Sequence, residues 1–147
     1  MNIDYWRKKA EDGSNAGLLH MGICYLQGTG VEQDFAEAFR LLSLAHEKGA
    51  LTGTFLLGTI YEDGLGVAQD MARAIDLYEQ AARIDHVSAL LNLARIHRHG
   101  KGVMADRRRA AQYYRRILRQ AGEMEVRSRD AWAEEINEAR DFVEDAA

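Results

Sequence analysis

Three constellations in this 147-residue chain contain residue types that could do chemistry. His97 and His99 flank Arg98, Gly-x-Gly recurs at Gly28, Gly64 and Gly100, and Arg107-Arg108-Arg109 continues into Arg115, Arg116 and Arg119. Each could serve a known purpose: metal ligation, phosphate cradling, or recognition of an anion or nucleic acid. A metal site needs a third and fourth ligand, and none is patterned beside the two histidines. A phosphate loop follows a strand or ends in Gly-Lys-Ser/Thr, and none of the three Gly-x-Gly stretches does. Cys24 has no histidine or lysine spaced to activate it, and Ile60 and Ile96 stand at its equivalent positions, so it reads as an apolar core position. No serine lies in a nucleophile motif. The chain is therefore read as a non-enzyme that needs no cofactor and no metal.

What positions these residues is a repeat. Gly28, Gly64 and Gly100 are 36 residues apart, as are Gly30, Gly66 and Gly102, then Val31, Val67 and Val103. Asp34, Asp70 and Asp106 keep the same period, and so do Ala38, Ala74 and Ala110. A period of this size marks stacked helical hairpins, each burying a face that it could not bury alone. Within a period the glycines break a first helix, and the aspartate sits where its carboxylate caps a second. Met21, Cys24 and Tyr25, then Leu57, Ile60 and Tyr61, line the first helices. Ala38, Leu41, Leu42 and Ala45, then Ala74, Leu77, Tyr78 and Ala81, form the buried stripe of the second. Gly22 and Gly58 read as points of close helix approach. The third period drifts: Ala94 replaces that glycine, His97 the tyrosine, and Ile117 the small residue.

The array is expected to span residues 1–121. It comprises a half repeat at 1–13, with Tyr5 and Trp6 packing under the next hairpin, and full repeats at about 14–49, 50–85 and 86–121. Residues 122–147 are read as a C-terminal cap, an amphipathic helix over 130–145 with Trp132, Ile136, Ala139 and Val143 on its apolar side.

Charge is modest overall, at −4, but segregated. Residues 1–94 carry 7 basic and 13 acidic side chains, residues 95–119 carry 9 and 1, and residues 120–147 carry 3 and 9. The basic segment reads first as a solvated face complementing the acidic cap, with Tyr113 and Tyr114 in the core. An anion or nucleic-acid binder acting through 95–119 is the rival. No stretch reaches the roughly 20 apolar residues needed to cross a bilayer. The N-terminus lacks the apolar run of a signal peptide. With one cysteine, a cytoplasmic location is the expectation.

The pattern Leu57-Gly58-x-x-Tyr61-x-x-Gly64-x-Gly66-Val67-x-x-Asp70-x-x-x-Ala74-x-x-x-Tyr78-x-x-Ala81-Ala82 resembles the Sel1-like repeat family. The resemblance implies an all-α, tetratricopeptide-like, right-handed superhelical solenoid of antiparallel helix pairs. It also implies an adaptor that assembles protein complexes, often in bacterial signalling or secretion. The proline usual before the capping aspartate is replaced by Gln33, Gln69 and Ala105, which implies a slightly looser turn. Members that bind penicillin-like compounds carry paired cysteines, a signature that this chain lacks.

The resemblance also implies that the first helices line a concave surface. The partner-binding candidates there are Leu19, Ile23 and Leu26, then Phe55, Thr59 and Glu62, then Leu91, Arg95 and Arg98. The leading position is apolar throughout and the later ones change chemistry, as in a groove with an apolar floor and a tuned rim. The other reading of Leu19, Phe55 and Leu91 is packing between successive repeats. The expected partner is a protein or peptide of unknown identity. A dedicated inhibitor or immunity-type role is the alternative, nucleic acid and membrane are disfavoured, and a homo-oligomer is left open.

Overall fold

The hairpin turn is written by a few positions of each period. Gly64 ends its helix at φ 66° and Gly66 follows at φ 69°, values that a side chain with a Cβ rarely adopts. The chain then folds back, and the N–H of Asp70 donates to the carbonyl of Tyr61 at 2.9 Å. The Asp70 carboxylate accepts from the N–H of Arg73 at 3.0 Å and caps the second helix. The same pair of bonds is made by Asp34, to Tyr25 and Glu37, and by Asp106, to His97 and Arg109. Where a looser turn is expected, a glutamine closes it. The Gln33 amide donates to the carbonyl of Leu26, and that of Gln69 to the carbonyl of Glu62, each at 2.8 Å. Ala105 has no side-chain amide to do this.

The computed structural model describes residues 2–124 and 126–146, and among these the regular structure is all helical. In order the helices are α1 (Ile3–Glu11), α2 (Asn15–Gln27), α3 (Phe35–Glu47), α4 (Leu51–Asp63), α5 (Met71–Ala82), α6 (Val87–His99), α7 (Arg107–Glu123), α8 (Val126–Ala131) and α9 (Ala133–Asp145). They fall into two compact units, Met1–Gln80 and Ala81–Ala147.

In the first unit α2 packs on α1 and α3, and α3 packs on α4. One cluster gathers Leu18, Met21, Leu41 and Ala45, with Ile3 and Trp6 of α1 against it. A second gathers Leu42, Leu57, Ile60 and Leu77. The helix glycines are points of contact: a Cβ on Gly22 would lie 2.7 Å from Leu42, and one on Gly58 2.5 Å from the ring of Tyr78. The first two aromatics divide. Trp6 is half-buried and stacks on His20 at 4.3 Å, whereas Tyr5 lies edge-on to Trp6 and is 51% exposed rather than packed under a hairpin.

In the second unit α6 packs on α7, and α7 on α9. Tyr114 and Ile117 are buried from α7, and Ile136, Ala139 and Phe142 from α9. The phase of α9 corrects the sequence reading: Phe142 takes the buried place expected for Val143, which is half-buried, and Trp132 stands at the N-cap. The chain also makes a separate short helix, α8, before α9 starts. Asp85 lies 36 residues after Gly49 and adopts the same left-handed backbone, at φ 56°. A non-glycine residue rarely does so. Its carboxylate accepts from the Arg116 guanidinium at 2.7 and 2.9 Å and from the Gln120 amide at 3.3 Å. Arg116 also donates to the carbonyl of Ala82, so the turn is held from α7.

Candidate functional site

The candidate residues on α2 are half-buried, and two of them take part in packing. Leu19 touches both clusters of the first unit, and Leu26 touches the second. Ile23 is half-buried on the same helix. On α4 the ring of Phe55 lies tilted over Tyr78, with centroids 5.6 Å apart. The Thr59 hydroxyl donates into its own helix, to the carbonyl of Leu56 at 2.9 Å. The Glu62 carboxylate accepts from the Tyr78 hydroxyl at 2.5 Å. Neither α2 nor residues 51–61 of α4 contain Asp, Glu, Lys or Arg. Helices so apolar cannot present an ordinary solvated face.

The candidates on α6 are placed differently. Leu91 is 5% exposed and belongs to the core of the second unit. Arg95 holds both oxygens of Glu138 on α9, with its Nη2 2.5 Å from Oε2, and Arg98 approaches Oε1 at 3.8 Å. The same carboxylate accepts from the hydroxyl of buried Tyr114 at 2.6 Å. The guanidinium groups of Arg98 and Arg107 each lie 5.1 Å from the centre of the Phe142 ring. The electrostatics follow from these contacts. The hydrogen bond from Arg95 lowers the Glu138 carboxyl below its ordinary range, against the opposing effect of burial. Burial, helped by Glu138, pushes the Tyr114 phenol up to about 12.

The basic segment therefore splits. Arg95, Arg98, Arg107 and Arg116 are engaged with carboxylates or a ring, while Arg108, Arg115 and Arg119 are exposed. Tyr113 is half-buried and stacks on His97, with centroids 5.8 Å apart. His97 is buried, and among the described residues no three His, Cys, Asp or Glu side chains come together as a metal site. Cys24 is buried, which pushes its thiol up and suits the apolar role read for it. No helix among the described residues is long and apolar enough to cross a membrane.

Two features escaped the sequence reading. A cleft of about 510 Å³ in the first unit is floored by Leu18, Met21, Leu41 and Leu44 beside Arg40. Arg40 is held there by Glu37 at 2.6 and 2.9 Å, which lowers the Glu37 carboxyl. The other is Glu138. Its signal lay in the repeat: Tyr78 recurs as Tyr114, but its acceptor Glu62 recurs as Arg98, so an acid had to come from outside the period.

Comparison with known proteins agrees with this architecture. The Sel1 repeat family model matches residues 16–49, 53–86 and 87–121. Among solved structures, a protective antigen of uropathogenic Escherichia coli strains displaying an SLR fold is 30% identical, with a TM-score of 0.76 over 82% of this chain. A Sel1 repeat protein from Oxalobacter formigenes is 30% identical, with a TM-score of 0.67 over 74%. The chain spans 26% and 44% of the lengths of those two. No curated protein matches it. The likeness places the chain in the all-α solenoid class.

Proposed function

This chain belongs to the Sel1 repeat family, and from that premise we propose that it is a non-enzymatic scaffold binding a protein or peptide on the first helices of its repeats. Sel1 repeat proteins generally act as protein–protein interaction scaffolds. One observation carries the reading to particular residues. The helices α2 and residues 51–61 of α4 are free of charged side chains, yet Leu19, Ile23, Leu26 and Phe55 are only half-buried. That leaves apolar surface on rigid elements, where a partner's side chains can be held with little rearrangement. Thr59 stands one turn behind Phe55 and would set which partner fits, while Glu62 contributes less because its carboxylate already accepts from the Tyr78 hydroxyl. The α6 set contributes less, because Leu91 is buried and Arg95 and Arg98 already hold Glu138. A reducing, cytoplasmic setting suits a chain whose single cysteine is buried.

The test is capture of partners from the native source by the wild-type chain, by Phe55→Ala and by Thr59→Lys, identified by mass spectrometry. Phe55→Ala is expected to weaken the partner by about 2 kcal/mol as an anchor. Thr59→Lys is expected to reduce capture while keeping the wild-type helix signal. The reading is overturned if Phe55→Ala unfolds the chain and Thr59→Lys captures the same proteins undiminished.

A further inference from the structure

On α7 the inward side is settled: Ala110, Ala111, Tyr114, Ile117 and Ala121 are buried. The outward side carries Arg108, Arg115 and Arg119, all exposed, and none of the three meets an acceptor among the described residues. Steps of seven and four residues put them on one face, in a ridge about 16 Å long at 1.5 Å per residue. Beside the ridge runs an open cleft of about 660 Å³, lined by Arg107, Arg108, Gln112 and Arg115, with Asp145 its acidic member.

This placement works against the helix that carries it. Cations in a first turn oppose the helix dipole, and α7 begins with three of them, where α3 has Glu37 in its first turn. Like charges three and four residues apart also repel. Arg95, Arg98, Arg107 and Arg116 are accounted for by contacts within the second unit, and the ridge is not.

We propose that the ridge of Arg108, Arg115 and Arg119 docks an acidic helical segment of a partner protein. A helix with carboxylates on one face at steps of three and four can meet these guanidinium groups in turn, each in a two-pronged bond that a lysine could not make. Nucleic acid fits less well. The ridge is short, and Tyr113 and Tyr114 of α7 are half-buried and buried, not exposed for stacking on bases. The surface involves none of the residues on α2 and α4 assigned above, so the two readings stand or fall separately.

The experiment titrates the full chain with three probes: a synthetic helical peptide with glutamates along one face, a scrambled peptide of the same composition, and a single-stranded oligodeoxynucleotide of matched charge. The patterned peptide is expected to bind about tenfold more tightly than the scrambled one, since three exposed pairs each contribute a little. Arg108→Glu with Arg115→Glu and Arg119→Glu should abolish that preference with an unchanged helix signal. Replacing all three by lysine should reduce it in part. Arg115→Gln alone should weaken binding even if the triple glutamate variant fails to fold. Equal binding of both peptides, tighter binding of the oligonucleotide, or an Arg115→Gln chain that binds like wild type would overturn the proposal.

Discussion

Tyr78 and Tyr114 occupy the same place in successive repeats, both fully buried, and each donates its hydroxyl to a carboxylate. The source of that carboxylate differs. In the first unit it is Glu62, one helix back in the same hairpin. In the second, Arg98 stands where Glu62 stood, and the acceptor is Glu138 from α9. A phenol buried this deeply needs a partner, because an unmet donor costs about 1–3 kcal/mol. The repeat supplies that partner internally in the middle of the array and hands the task to another element at its end. Reversing the charge from Glu62 to Arg98 also means that the last repeat is matched by an acidic helix.

Removing α9 tests that comparison most severely. Deleting 132–147 should uncover Tyr114 and Ile117 in the second unit and leave the first unit's Tyr78–Glu62 pair intact. Marked loss of helix signal, with aggregation on size-exclusion chromatography, is the expected outcome. A truncated chain that stays monomeric with an unchanged melting temperature would show that α9 does not close the unit.

How much of this was legible in the sequence depends on the range of the cause. The turns were readable, because Gly64 and Gly66 must adopt positive φ and Asp70 must cap, and both demands act within a few residues. The buried stripes were readable because Ala74, Leu77 and Tyr78 repeat the places of Ala38, Leu41 and Leu42. The phase of α9 was not, since Val143 and Phe142 are one residue apart and only packing on α7 chooses between them. Nor was Asp85, whose left-handed backbone is held by Arg116, 31 residues away. The candidate site was least legible. Spacing alone put Leu19, Phe55 and Leu91 in one class, and the structure finds the first two half-buried and the third buried.

A point substitution sharpens the comparison next. Glu138→Gln should cost about 1–2 kcal/mol, discounted because Arg95 is 48% and Glu138 22% exposed, and Glu62→Gln should cost less. The difference arises because Glu138 serves Arg95, Arg98 and Tyr114 together. Its carboxyl is lowered in the folded chain, so its contribution is present above the ordinary carboxylate range and is lost as pH falls. Ultraviolet titration gives a second readout. Removing the carboxylate's charge should bring the Tyr114 phenol down from about 12, though burial keeps it above the ordinary value. Equal stability losses for the two variants, with no change in the phenol, would mean that the two carboxylates do the same work.

The smallest expected effect lies at the start of the first helices. In the first unit α4 begins after Ala50, which has no side chain to cap it. In the second unit His86 holds that place, and its Nδ1 accepts from the N–H of Ala89 at 3.4 Å. Accepting through Nδ1 requires the neutral ring, and burial lowers the His86 pKa, which favours the same form. The unfolded chain then takes up the proton more readily than the folded one. Stability from this group is therefore complete above the ordinary histidine pKa of about 6.5 and declines as pH falls toward the folded value. His86→Ala should cost about 0.5–1 kcal/mol at neutral pH by loss of the cap. His86→Asn keeps a capping side chain that does not titrate. Denaturant unfolding of the wild type and of His86→Asn should give similar stabilities at neutral pH and diverge in mild acid, with the wild type the weaker. A difference between the two that stays constant with pH would separate the cap from the protonation of His86 and leave α6 no more pH-sensitive than α4.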